Sequence, residues 1–124
     1  MKLTGYRSTG TATNPGPVEV VAVYLDDDGN EHIRPLNPRR DLWNHSPDGF
    51  QYGYAGSGPS QLALAITAHI MGYDGGGVTR EEVFDVYMDL KAKLIRRAPR
   101  NRLLVLSAES VKRVIEEARA QKMA

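Results

Sequence analysis

Phe50-Gln-Tyr-Gly-Tyr-Ala-Gly-Ser-Gly-Pro-Ser-Gln-Leu-Ala-Leu-Ala-Ile66 is where this chain turns from strand-like to helix-like sequence. Two tyrosines and three glycines lead to Pro59, and a dense apolar run begins directly after it. Glycine permits positive φ and close approach of another backbone. Proline suits the first helical position, where its missing N–H costs nothing. The stretch therefore predicts a tight glycine loop opening onto a buried helix, from about Pro59 to Met71. Leu62, Ile66 and Ile70 share one face of that helix, and Ala63, Ala65 and Ala68 keep its other sides small. A helix apolar on all sides belongs in the interior.

Upstream, strand signals dominate. Residues 3–8 form a short strand candidate, and Thr9 to Pro17 reads as a Thr/Gly/Pro loop. Val18-Glu-Val-Val-Ala-Val-Tyr-Leu25 is β-branched and apolar on both faces over most of its length, which predicts a central strand. Asp27-Asp28-Gly29-Asn30 is a hairpin turn, with Gly29 supplying positive φ. Residues 31–36 return as the partner strand, with Pro35 near its end or on an edge because it lacks a donor. Residues 37–49 show little periodicity and predict an irregular segment with a short strand at Asp41–Asn44.

Downstream, helical signals take over. Asp74-Gly-Gly-Gly77 is a connection, and Thr79 with Glu82 spells a capping box. Val83, Val86, Tyr87, Leu90 and Leu94 make the apolar stripe of a second helix, which Pro99 ends. Asp89 and Lys93 stand at the spacing of an i,i+4 ion pair. Residues 102–106 are a short strand, and Ser107 caps a final helix from Ala108 to about Gln121, with Val111, Val114, Ile115 and Ala118 inward. The whole predicts one α+β domain over residues 1–124, a small antiparallel sheet with three helices packed on it in the order β-β-β-α-α-β-α.

Composition narrows the chemistry. At 124 residues the chain suits a single core. With no cysteine there are no disulfides, thiolate metal sites or cysteine nucleophiles. No apolar run approaches the ~20 residues that span a bilayer, and the N-terminus lacks the apolar core of a signal peptide, so a cytoplasmic protein without membrane contact is expected. The net charge of +1 conceals a net −3 over residues 1–78 and a net +4 over residues 79–124.

The stretch Ser46-Pro-Asp-Gly-Phe-Gln-Tyr-Gly-Tyr-Ala-Gly-Ser-Gly-Pro-Ser-Gln-Leu-Ala-Leu64 resembles a family of small uncharacterised proteins of bacteria, archaea and their phages. These share a motif close to Phe-x-Trp-Gly-Tyr-Gly-Gly-Ser-Gly-Pro-x-Gln-Leu-Ala-Leu. Here Tyr52 stands in the tryptophan position and Ala55 replaces a glycine. About 20 residues carry the resemblance well, with the N-terminal strands and second helix following more loosely. The family carries no assigned reaction. Its occurrence in phages and mobile elements implies an accessory or host-interaction role.

The residues themselves offer two readings of the loop. In one, the amides of Gly56, Ser57 and Gly58 converge with the helix dipole on an anion, and the hydroxyls of Ser57 and Ser60 add donors. Tyr52 and Tyr54 then stack on a base. In the other, Ser57 caps the helix, Gln61 ties down a neighbouring strand, and the tyrosines fill core. The glycine spacing matches neither the dinucleotide fingerprint nor a P-loop, and Gly-x-Ser-x-Gly is absent. His32, His45 and His69 lack metal-ligand spacing, and the run from Asp26 to Asn30 lacks that of a calcium loop. His69 reads as a hydrogen-bonded core or interface residue.

The expectation is a non-catalytic protein without cofactor that binds a host protein, as a defence or transcription inhibitor, or sequesters a small phosphorylated ligand. Its site residues are Tyr52, Tyr54, Gly56, Ser57, Gly58 and Ser60. The alternative is a nucleic-acid-binding accessory protein using the basic segment 91–102, with contacts from Arg96, Arg97, Arg100 and Arg102. An enzyme acting on a nucleotide is a third reading. Trp43 beside Arg39 and Arg40 has hot-spot composition, although a lone tryptophan reads first as buried. The apolar second helix also suits a homodimer.

Overall fold

The computed structural model describes residues 1–123. Strands β1 (Lys2–Ser8), β2 (Val20–Leu25) and β3 (Glu31–Pro35) precede helix α1 (Ser57–Ile70). Helix α2 (Arg80–Leu90) runs on into a π-helical turn, Lys91–Ile95, before β4 (Val105–Ser107) and α3 (Ala108–Met123). The fold is α+β, in the order β-β-β-α-α-β-α, with a four-stranded antiparallel sheet ordered β3-β2-β1-β4. The hairpin forms as its residues require: Gly29 sits at φ +83°, and the Asp26 carboxylate accepts from the amides of Asp28 and Asn30.

Strand register divides the sheet into two faces. Leu3 and Tyr6 of β1, Val20, Ala22 and Tyr24 of β2, and Leu106 of β4 pack against the helices. The other face carries Gly5, Arg7, Val21, Val23, Ile33 and Val105. Arg7 reaches across β2 to Glu31 at 2.7 Å, and its aliphatic stem shields that face without any helix. β2 is central, as its two-sided apolarity requires. Pro35 is the last residue of β3, on an edge. Because the next amide, Leu36 N–H, donates to Val20 O, the ring of Pro35 occupies an outward position where no ladder donor is needed.

Three local expectations change. The segment Asp41–Asn44 is no strand: Arg39 adopts φ +59° and residues 40–42 turn, because the side chain of Gln61 claims the backbone groups that a ladder would use. Lys93 pairs with Glu117 of α3 at 3.8 Å rather than with Asp89. The i→i+5 bond from Arg96 N–H to Lys91 O, 2.9 Å, widens the last turn of this helix and shifts its i,i+4 rows. Finally, α1 begins two residues before Pro59, which becomes its third residue.

Candidate functional site

The glycine loop is anchored at Tyr52. Its ring is fully enclosed; its hydroxyl accepts from Ala12 N–H at 3.1 Å and donates to Arg102 O. Tyr52 therefore serves as core and has no face left for a base, contrary to the stacking expectation. Arg100 clasps the loop from outside, donating to Tyr52 O at 2.8 Å and Ala12 O at 2.9 Å. Gly53 makes this approach workable. Its φ is +88°, and a Cβ there would lie 2.3 Å from Arg100 Cγ and 2.8 Å from Ala98 O.

Tyr54 points the other way. Its ring is 43% exposed and lies under the Arg100 guanidinium at 5.0 Å. Gly56 is the N-cap of α1 and offers no capping side chain, so Ser57 caps nothing. The amides of Ser57 and Gly58 sit at the first two helical positions, where no intrahelical acceptor exists. Ser57 is exposed. Ser60 is buried, and its hydroxyl donates to Gly56 O at 3.1 Å, so it turns away from solvent. Gly58 permits packing on Gln51, whose Cβ would lie 2.7 Å from an added Cβ.

Two adjoining grooves open at this helix start. One, of about 710 Å³, is lined by Gly16, Pro17, residues 46–51, Tyr54, Ser57 and Gly58. The other, of about 460 Å³, is lined by Ala12, Thr13, Asn14, Gly16, Gln51, Tyr54 and Arg100. Gln51 lies on both; its amide nitrogen donates to Gly16 O at 2.8 Å, while its buried Oε1 has no partner. The grooves thus combine main-chain groups of the helix start with one cation and the Asp48 carboxylate, and Gln51 Oε1 is enclosed in their wall. Thr13, Asn14 and Gln51 are not among the site residues that the sequence predicts. The inclusion of Gln51 in the quoted motif was the available signal, whereas the Thr9–Pro17 wall gave none.

The basic segment divides. Arg100 belongs to the loop, whereas Arg96, Arg97 and Arg102 are exposed and make no ion pair among the described residues. Elsewhere, Gln61 is fully buried and satisfies four backbone groups of the 38–46 segment. His69, half-buried at the end of α1, bonds the hydroxyls of Tyr6 and Tyr24 through its two ring nitrogens. Burial holds its pKa below the ordinary histidine value, against the partial pull of Asp74. It also pushes the Tyr6 hydroxyl far above the ordinary tyrosine range. Trp43 is not buried: it is 53% exposed, edge-on to Phe84 at 6.3 Å.

Among the described residues, no group of three or more His, Cys, Asp or Glu is arranged to hold a metal ion, and no helix is long and apolar enough to cross a membrane. Residues 17–117, from the loop before β2 to the second half of α3, match the profile of a family of unknown function, DUF6166. The chain belongs to the DUF6166 family. No curated protein and no solved structure matches it. The DUF6166 match takes in Tyr54, Ser57 and Gly58 and leaves out β1 and residues 9–16 of the groove wall.

Proposed function

We propose that this DUF6166 protein is a non-catalytic binding protein whose site is the double groove at the start of α1. The observation that carries it is the pair of grooves that meet at the Tyr54 ring, one lined by Ser57 and Gly58 at the uncapped helix start and the other by the Arg100 cation. Main-chain donors at a helix start favour an anion. The exposed Tyr54 ring favours a ligand that also carries a flat or apolar group. A small phosphorylated ligand with a ring meets both demands, and an acidic group of a host protein meets the first. The motif resemblance supports a phage or mobile-element origin, a host cytoplasmic setting and action as an inhibitor of a host process.

Gly58→Ala is a poor test, since the added Cβ would meet Gln51 and disturb the fold. Ser57→Glu separates the two effects. A carboxylate in the first helical turn stabilises the helix by about 0.5 kcal/mol, yet repels an anion from the same place. Titrating the protein with inorganic phosphate and with a nucleoside monophosphate, followed by amide NMR, should move the Ser57 and Gly58 resonances. In Ser57→Glu those shifts should vanish while stability rises. Shifts confined to other residues, or unchanged in the variant, would refute the site.

The exposed, unpaired Arg96, Arg97 and Arg102 favour one second reading, contact with nucleic acid phosphates. Fluorescence anisotropy with a single-stranded oligonucleotide should then show affinity that falls steeply with salt and is lost on reversing all three charges. Salt-insensitive or absent binding would remove this reading.

A further inference from the structure

The outward face of α2 carries a pattern that its own fold uses only in part: Phe84 packs on one side against the cluster of Leu42, Leu64, Ala68 and Val83, and Lys91 is half-buried. Phe84 and Met88 are stacked one turn apart on it, with Met88 47% exposed and Trp43 edge-on beside Phe84. Glu81 and Lys91 bracket this apolar centre, five positions either side of residue 86, while Phe84 and Met88 lie two positions either side. Neither Glu81 nor Lys91 makes an ion pair among the described residues. On an antiparallel helix pair related by a two-fold axis at residue 86, each position i meets the level of position 172 − i. Phe84 then meets Met88, and Glu81 meets Lys91, each of them twice.

We infer that this face is a homodimer interface, in which α2 packs antiparallel on α2 of a second copy. The pairing is isologous, as a two-fold contact must be: one patch supplies both members of every pair. Its charge pattern selects a second copy over a generic apolar partner, because Glu81 and Lys91 are complementary to each other across the axis. Trp43, an aromatic of the kind that anchors interfaces, flanks the apolar centre. Arg80 is held over Phe84 at 4.9 Å and donates to Leu42 O, so it stiffens the patch from within. One helix face and a tryptophan make a small contact, below the roughly 1,200 Å² of a standard interface, so association in the micromolar range is expected.

The test is sedimentation equilibrium of the full chain from about 10 μM to about 1 mM, with circular dichroism confirming that each variant folds. Wild type should show a monomer–dimer equilibrium. Glu81→Lys and Lys91→Glu each turn two attractions into two repulsions, and each should weaken dimerisation by about tenfold or more. Mixed together, the two variants restore complementary charges at both positions, and a heterodimer at least as tight as the wild-type dimer should form. A wild-type chain that stays monomeric throughout overturns the proposal, as does a dimer indifferent to both substitutions. Loss in the single variants without recovery in the mixture also overturns it, since the pairing would not be antiparallel about residue 86.

Discussion

Gln61 concentrates more of this structure than any other single side chain. Its Oε1 accepts from His45 N–H at 2.7 Å and Ser46 N–H at 3.1 Å, and its Nε2 donates to Pro38 O and Trp43 O. One amide thus satisfies four main-chain groups of a segment with no ladder of its own, from the middle of an otherwise apolar helix. Gln61→Leu preserves bulk but orphans all four. Leaving buried backbone groups unpaired costs about 1–3 kcal/mol for each group that water cannot reach. A net loss of about 3 kcal/mol or more is expected in urea unfolding, with residues 37–49 becoming cleavable in limited proteolysis. Full resistance to protease in the variant would show that the Arg39 ion pairs to Asp41 and Asp74, each 3.0 Å, hold the segment unaided. From sequence, Gln61 was visible as a tether within the motif; its target was not, because its four bonds reach 15 to 23 positions along the chain.

At the scale of elements, legibility followed the range of the forces involved. The Thr79–Glu82 capping box is local chemistry, and it forms with both reciprocal bonds, Glu82 N–H to Thr79 Oγ1 at 3.1 Å and Thr79 N–H to Glu82 Oε1 at 3.0 Å. The Asp-Gly hairpin and the apolar run of α1 are local in the same sense, and both elements were readable. The π-helical turn after α2 was not, since it depends on fitting Ile95 into the core while Gly53 N–H takes Ile95 O. Nor was the clasp of Arg100, which spans 88 positions to reach Ala12. The candidate site divides the same way: the helix start at Ser57 and Gly58 is local to the glycine loop, whereas the choice between the stacking and core readings of Tyr52 rests on three polar partners that lie elsewhere in the chain. The local part is directly measurable. Thr79→Ala should lower stability by about 1 kcal/mol through loss of the cap. Glu82→Gln, which keeps an acceptor for Thr79 N–H and loses only the exposed pair to Arg119, should leave the unfolding midpoint nearly unchanged. A large effect of Glu82→Gln would mean that the α2–α3 ion pair, and not the cap, secures this corner.

The whole molecule is joined at two places by histidines, and both make its stability depend on pH in the same direction. His69 ties α1 to β1 and β2 through Tyr6 and Tyr24, and His45 ties the 37–49 segment to α2 through Tyr87 at 2.8 Å. Burial lowers the pKa of each below the ordinary value of 6.5, aided at His45 by the nearby Lys91 and opposed at His69 by Asp74. A histidine with a depressed folded-state pKa contributes stability that is complete above its unfolded value. That stability drains away as pH falls through the folded value, because the unfolded chain takes up the proton first. The urea midpoint should therefore be flat above about pH 7 and decline as pH drops below 6.5, well before the carboxylates of Asp26, Asp41 and Glu82 begin to protonate. Those three have pKa values lowered by hydrogen bonding, so their own loss belongs to a separate, more acidic limb. His69→Gln retains a donor and an acceptor for the two tyrosines but cannot take up a proton. It should lose part of the slope below pH 6.5 without losing the fold, and His45→Gln in addition should flatten the limb. An undiminished slope in the double variant would show that both joints are indifferent to proton uptake.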